Sequence, residues 1–253
     1  MYYPSQRIAY RAITRRLSAD NVVFLNYGYE EDPPMALPLA PSDEPNRFFI
    51  QLYHRTATQA DITGKRVLEV SCGHGGGASY LTRTLDPASY TALDLNPDAI
   101  AFCRERHKLP GLSFIQGDAE QLPFPDESFD AVINIEASLH YPRFSCFMAE
   151  VARVLYPNGY FLYADVRGRE AIAEWEAALA DAPFQMVSQR VINDEVVRGI
   201  ERNTQRWEDV IDRNVPAPLR KLVRQFSGVR DSRVYQAYKE RQSSYRMYCF
   251  AKN

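Results

Sequence analysis

From Arg66 onward the chain alternates short apolar runs with amphipathic segments. Arg66–Val70, Tyr90–Leu95, Leu112–Gln116, Ala131–Ile135 and Gly159–Val166 have the length and composition of buried strands. Between them, Gly76–Thr84, Pro97–His107 and Phe144–Leu155 place apolar residues at helical spacing. Strands that alternate with helices predict a parallel sheet covered on both faces, because each crossover must return over the sheet. Near the carboxy end, Arg233–Tyr238 and Ser244–Ala251 alternate in the manner of strands with no helix between them. They predict an antiparallel hairpin at the sheet edge. The expected fold is α/β: a doubly wound, Rossmann-like, mostly parallel seven-stranded sheet with an antiparallel carboxy-terminal hairpin and an inserted helical cap.

The flanks read differently. Tyr2 to Ser18 has roughly helical spacing of apolar residues, and Asn46 to Asp61 predicts a helix leading into the first strand. Between them, Pro33, Pro34, Pro38, Pro41 and Pro45 remove backbone donors and mark a loop. Arg169 to Gly228 has few turn signals before Pro216 and Pro218 and reads as two or three inserted helices. Within it, Ile192, Val196, Val197 and Ile200 recur at helical spacing and face either a pocket or the core. The expected organisation is an amino-terminal lid over 1–63, a cofactor-binding core over 64–168, a helical acceptor cap over 169–230 and edge strands over 231–253.

Composition narrows the function classes. With 45% hydrophobic and 25% charged residues in 253, the chain is an ordinary globular protein. A net charge of −2 supplies no global field for phosphate backbones, so general nucleic-acid binding is not expected. Cys72, Cys103, Cys146 and Cys249 are too far apart in sequence for a zinc knuckle or a redox dithiol motif and read as reduced thiols. His54, His107 and the acids of the insertion have no metal-site spacing, so no metal is expected. Met1 to Leu17 has no continuous apolar stretch and resembles neither a secretory signal nor a membrane span. A cytoplasmic protein is the expectation.

The candidate chemistry sits at the strand ends. Val67-Leu68-Glu69-Val70-Ser71-Cys72-Gly73-His74-Gly75-Gly76-Gly77 is a strand running into a glycine-rich turn and a helix start, where backbone amides can approach a ligand. Its spacing differs from the dinucleotide fingerprint. In Thr91-Ala92-Leu93-Asp94-Leu95-Asn96 an acid ends the next strand, placed to accept both hydroxyl hydrogens of a ribose. Asn96, before Pro97, is the better helix cap. Gly117-Asp118-Ala119-Glu120 follows the third strand, where Asp118 can accept from an adenine amino group while Leu95 and Ala119 flank the ring.

These motifs, together with Val154-Leu155-Tyr156-Pro157-Asn158-Gly159, resemble the class I S-adenosylmethionine-dependent methyltransferases over roughly residues 64–166. Two positions depart: Ser71 stands where that class usually has its first glycine, and Asn158 replaces the penultimate glycine. A second resemblance, over nearly the whole chain, is to the mycobacterial phthiotriol and phenolphthiotriol dimycocerosate methyltransferases and related lipid O-methyltransferases. It rests on Tyr29-Glu30-Glu31-Asp32-Pro33-Pro34, Ser42-Asp43-Glu44-Pro45-Asn46-Arg47, Leu52-Tyr53-His54-Arg55-Thr56-Ala57-Thr58-Gln59, the glycine-rich turn and Ser244-Tyr245-Arg246-Met247-Tyr248-Cys249-Phe250. Asn26-Tyr27-Gly28-Tyr29 is similar to the tyrosine-bearing segment with which lipid and sterol methyltransferases close over the cofactor. The resemblance thus implies S-adenosylmethionine as cofactor, held by Tyr27, Tyr29, Ser71, Gly73, Gly75, Asp94, Leu95, Asn96, Asp118, Ala119, Glu120 and Ile135.

Methyl transfer from a sulfonium needs in-line approach, water exclusion and a base for the acceptor. In Asn134-Ile135-Glu136-Ala137-Ser138-Leu139-His140-Tyr141, His140 can act near neutral pH, and Glu136 can orient it or the acceptor. The implied reaction is methylation of a hydroxyl on a lipid, polyketide or terpenoid-like acceptor. A carbon or nitrogen acceptor, a dinucleotide oxidoreductase and a noncatalytic nucleotide-binding module are the alternatives. An apolar small-molecule or lipid acceptor is the expected partner, and a homo-oligomer stays open.

Overall fold

Every strand turns alternate side chains to opposite sides, and the two sides collect separate cores. The computed structural model describes residues 16–17 and 19–253, so the helix expected over Tyr2–Ser18 lies almost wholly outside the described residues. The strands are β1 (Arg66–Val70), β2 (Ser89–Asp94), β3 (Leu112–Gln116), β4 (Phe129–Ile135), β5 (Leu155–Gly168), β6 (Phe184–Val191) and β7 (Ser243–Lys252). They form one seven-stranded sheet in the order β3-β2-β1-β4-β5-β7-β6. β1 to β5 pair in parallel, and β7 runs antiparallel to both β5 and β6.

The described helices are α1 (Arg47–Ala57), α2 (Gly76–Leu85), α3 (Pro97–Arg106), α4 (Phe144–Val154), α5 (Ile172–Ala180), α6 (Asn193–Asn214), α7 (Ala217–Phe226) and α8 (Arg233–Lys239). One core joins Val67, Ile133, Leu162 and Met247 of the sheet to residues of α1, α2, α3, α6 and α8. The other joins their strand neighbours Leu68, Val132, Phe161 and Tyr248 to Phe147 and Val151 of α4 and Trp175 of α5. This is the doubly wound layering that the alternation of apolar runs predicts.

Two elements differ from expectation. Arg233–Tyr238 is a helix, not the first arm of a hairpin: Ser232 caps it by accepting from the Tyr235 amide, and Tyr235 and Tyr238 are buried along one side. Apolar residues at 234, 235, 237 and 238 follow i, i+1, i+3, i+4, which fits a helix better than a strict alternation, and the cap with its buried face selects the helix. The antiparallel partner on the outer side of β7 is β6, which lies inside the segment read as wholly helical. Almost all of β6 is exposed, so it buries no apolar stripe to betray it. Its hydrogen bonds to β7 make it a strand, a tertiary effect that outweighs local pattern.

At the start of α6 the insertion packs as core: Ile192, Val196 and Ile200 are fully buried among residues of the first core. Asn158, at the second departure from the class pattern, adopts φ +64° at a register shift between β4 and β5, a conformation that asparagine tolerates.

Candidate active site

Strand order reverses between β1 and β4, and ligands in open α/β sheets bind beyond the carboxyl ends of strands at such a point. A cavity of about 1030 Å³ opens there. Ser71, Gly73, Asp94, Leu95, Asn96, Asp118, Ala119, Glu120, Ile135, Glu136 and His140 all line it. Four separate strand ends therefore deliver the sequence motifs to one place.

Asp94 organises the cofactor half. Its carboxylate accepts from the Gly73 amide at 2.9 Å and the Asn96 amide at 2.8 Å, tying the glycine-rich turn to the end of β2. Burial lifts the carboxyl to about 6, while those two amides pull it down. Asn96 accepts from the Asp98 amide at 3.0 Å and caps α3, as its place before Pro97 suggests. Asp118 is exposed and closes a small turn by accepting from the Glu120 amide at 2.9 Å. Across the rim, Arg143 donates from its amide (2.6 Å) and its Nε (2.8 Å) to Glu120, which joins the third-strand loop to the turn before α4.

Ser71 sits at φ +61° where glycine would be unstrained. The left-handed conformation costs a residue with a Cβ about 1–2 kcal/mol. Its hydroxyl is clasped by the Tyr141 hydroxyl at 2.6 Å, and Asn134 Nδ2 donates to the same tyrosine at 2.9 Å. Tyr141→Phe should leave the Ser71 hydroxyl and one N–H of Asn134 without a partner, Asn134 keeping its bond to the Val70 carbonyl, at a cost of about 1–2 kcal/mol. The expected reading is a roughly tenfold higher KM for the cofactor with an unchanged fold. An unaltered KM would show that the clasp does not shape the loop.

Glu136, at the end of β4, has φ +51° and a partly buried side chain on the cavity wall. It accepts from the Tyr27 amide at 3.1 Å and from the Tyr245 hydroxyl at 2.8 Å. Burial pushes it up to about 8, against those two hydrogen bonds. A strained, desolvated carboxylate facing a cavity is a signature of a functional position. His140 lies in the short turn after β4, exposed at the cavity rim. Partial burial holds its imidazole below the ordinary value; Asp165 opposes this and Arg167 reinforces it.

Three residues of the expected cofactor set stand away from the cavity. Tyr29 is fully buried, with its hydroxyl donating to Glu31 at 2.9 Å, so it belongs to the core. The Tyr27 ring packs edge-on to Tyr238, and only its backbone reaches the site, through Glu136. Gly75 adopts φ +74°, and a Cβ there would meet Phe114, Cys103 and His107 at 2.9–3.0 Å rather than a ligand. Its role is to let the turn pass over the core, so Gly75→Val strains the fold instead of blocking the cavity.

The sequence reading missed a second layer. Residues 22–27 run as a strap over the glycine-rich turn: His74 Nδ1 bonds the Val22 carbonyl at 2.6 Å, and the Gly76 amide donates to the Val23 carbonyl at 3.0 Å. Val23, Leu25 and Asn26 of this strap line the cavity, as do Tyr53, His74 and Tyr141. Asn26 is buried with its amide nitrogen fixed on the Phe49 carbonyl, and its Oδ1 has no hydrogen-bond partner. Below His140, the buried Asp165 accepts from Ser138 Oγ at 2.5 Å and the Leu139 amide at 3.1 Å and pairs with Arg167 at 3.3 Å, fixing the turn. These contacts join residues far apart in sequence, and only an aromatic or polar residue next to a strand end hinted at them.

The sheet order and strand-end cavity together define a class I methyltransferase architecture. Residues 68–163 match a methyltransferase domain model. The chain is 62% identical over 248 residues to a fatty-acid O-methyltransferase of Mycolicibacterium smegmatis, covering 98% of this chain and 90% of the relative. It is 60% identical over 247 residues to the phthiotriol/phenolphthiotriol dimycocerosates methyltransferase of Mycobacterium tuberculosis, covering 98% and 92%. Among solved structures, the [4+2]-cyclase SpnF superposes with a TM-score of 0.72 at 20% identity, covering 96% of this chain and 93% of that one, a likeness of fold alone. The chain belongs to the family of phthiotriol/phenolphthiotriol dimycocerosates and fatty-acid O-methyltransferases. It is a methyltransferase, and its methyl donor is S-adenosylmethionine.

Among the described residues no cluster has the make-up of a metal site, and no helix is long and apolar enough to cross a membrane.

Proposed function

We propose that this enzyme methylates an oxygen on a long-chain lipid acceptor, with Asp94 holding the cofactor's ribose and His140 taking the acceptor's proton. The observation that carries this reading is the single cavity running from Asp94 and Asp118 to Glu136 and His140. Its volume of about 1030 Å³ lies just above the ~300–1,000 Å³ usual for one small ligand, which suits a nucleoside cofactor beside the head of a second substrate. A long aliphatic tail must then leave through the mouth. The lipid acceptors named for the two relatives agree with such an arrangement.

The residues present fit the cofactor. Asp94 keeps acceptor capacity beyond its two loop amides for a pair of ribose hydroxyls, Leu95 and Ala119 offer apolar faces for a base, and Asp118 and Glu120 offer acceptors at the same end. S-adenosylmethionine supplies an electrophilic methyl carbon on a sulfonium centre. The protein's part is then positional and acid–base. Val23, Leu25, Tyr53, Ile135 and Tyr141 exclude water from the reacting end. Glu136 fixes the strap through the Tyr27 amide and holds the acceptor oxygen in place, and His140, unprotonated at neutral pH, accepts its proton.

In this reading the strap of residues 22–27 serves as the lid over the acceptor, braced from behind by α6, and the protein works as a cytoplasmic enzyme. Turnover of fatty acids and fatty alcohols of graded length, followed by transfer of labelled methyl, tests it. kcat/KM should climb at least about tenfold from short to long chains, since each buried methylene contributes about 0.8 kcal/mol up to the length of the apolar wall. Equal turnover of a small hydrophilic alcohol and a long-chain acceptor would overturn the lipid assignment.

A further inference from the structure

We propose that α7 is an interfacial helix that docks the enzyme on an anionic lipid surface, presenting the lid side of the cavity to the layer in which a lipid acceptor resides. The proposal rests on the lipid-acceptor reading for its purpose, but its evidence is independent.

Leu219, Leu222, Val223 and Phe226 fall at i, i+3, i+4 and i+7 and form one stripe along the helix. They are 51%, 59%, 36% and 61% exposed, and no residue of α7 is buried. A stripe of this kind normally turns inward. Here it faces out, on a helix that carries Arg220, Lys221 and Arg224 and no acid.

Charge selects the occupant. Residues 212–233 contain six cations (Arg213, Arg220, Lys221, Arg224, Arg230 and Arg233) against the two acids Asp212 and Asp231, with Arg213 held by Asp20 at 3.1 Å, in a chain whose net charge is −2. Arg220 and Arg224 share the carboxylate of Asp212 at 3.6 and 2.7 Å, so one negative charge serves two cations. Arg233 lies over the Phe226 ring at 5.3 Å, which puts a further cation beside the end of the stripe. An apolar face rimmed by lysine and arginine is the make-up of helices that lie in the headgroup region of anionic membranes.

The surface connects to the cavity through packing. Gly228, just after α7, abuts the Tyr27 ring so closely that a Cβ would come within 2.5 Å of it. The Tyr27 amide in turn holds Glu136 on the cavity wall. α6, which precedes α7, bonds the same strap through Asn203 to the Tyr27 carbonyl at 3.4 Å, and just beyond the strap its Glu195 carbonyl accepts from the Glu30 amide at 3.0 Å. A docked α7 therefore holds the segment that closes the cavity against the lipid.

The test uses the full chain and sedimentation with phosphatidylcholine vesicles, with and without phosphatidylglycerol. Wild type should bind the phosphatidylglycerol vesicles, and added salt should weaken that binding. Leu222→Glu with Phe226→Glu should cut partition at least about tenfold, and Lys221→Glu should cut it less while flattening the salt dependence. None should change turnover of a short-chain acceptor dissolved as monomer. Equal partition of wild type and variants overturns the proposal. So does a lower Tm or a changed molecular mass in the double variant with vesicle binding intact, because the stripe then packs against residues 1–15 or a second copy. If wild type binds vesicles through α7 yet methylates no lipid within them, the docking stands and the acceptor reading falls.

Discussion

His140→Ala should lower kcat by about 10²–10⁴-fold while leaving cofactor affinity within twofold of wild type, the span usual for loss of a positioned general base. The accompanying pH profile identifies the group. Because burial holds the imidazole below its usual 6.5, the unprotonated form is the one populated as pH rises. Wild-type kcat, measured at saturating cofactor so that Asp94 does not contribute, should therefore increase with pH, bend at a value below 6.5 and stay level through pH 8. If Glu136 were instead the base, the bend would lie near 8, where burial has pushed its carboxyl. Glu136→Gln separates the two assignments: it should depress the plateau yet keep the low-pH bend, since Gln cannot titrate but still accepts from the Tyr27 amide. A profile in which His140→Ala retains the bend would remove His140 from proton transfer.

The Glu136 substitution has a second readout, in stability. A carboxyl raised to about 8 in the fold, against an ordinary value near 4.5, binds a proton more tightly folded than unfolded. Stability is then lost as pH rises from about 4.5 to 8, and a neutral side chain escapes that loss. Glu136→Gln should raise Tm at pH 8 and do little at pH 4, the pattern of a residue kept for function at the expense of the fold.

Why the cofactor half was legible and the lid was not follows from where the information lies. Asp94 and Glu136 end apolar runs, so strand length alone places both carboxylates at one sheet edge, and the cavity gathers them there. Ser71 announces itself as a departure in a glycine pattern, although its clasp by Tyr141 depends on a residue 70 positions away. The strap has no such marker. Val22 and His74 meet across 52 positions, and nothing local in Asn21-Val22-Val23-Phe24 distinguishes it from any short extended segment. Tyr27 and Tyr29 show the same limit from the other side: an aromatic residue two places along the chain looks equally suited to a ligand or to a core, and here packing took both rings. β6 stayed hidden because its partner strand lies more than 50 residues further on, and its own outward-facing residues show no period.

Asp94→Ala should weaken S-adenosylmethionine binding by about 1–3 kcal/mol, roughly 5- to 150-fold, when measured by calorimetry at pH 7.5. Two losses combine in that figure. In the proposed assignment the ribose hydroxyls lose a charged acceptor, and the Gly73 and Asn96 amides lose the carboxylate that now fixes the turn and the start of α3. Asp94→Asn removes the charge and keeps one of the two loop hydrogen bonds, because its single carbonyl oxygen can accept from the Gly73 amide or the Asn96 amide but not both, so its affinity should fall between those of wild type and Asp94→Ala. The pH dependence supplies an independent check. Wild-type affinity should fall as pH drops through about 6, where the buried carboxyl takes up a proton and loses acceptor capacity, and Asp94→Asn should show no such fall. Parallel thermal melts of the three proteins exclude simple unfolding. If a folded Asp94→Ala protein binds the cofactor with wild-type affinity, the ribose is held elsewhere along the cavity and Asp94 serves only to shape the turn.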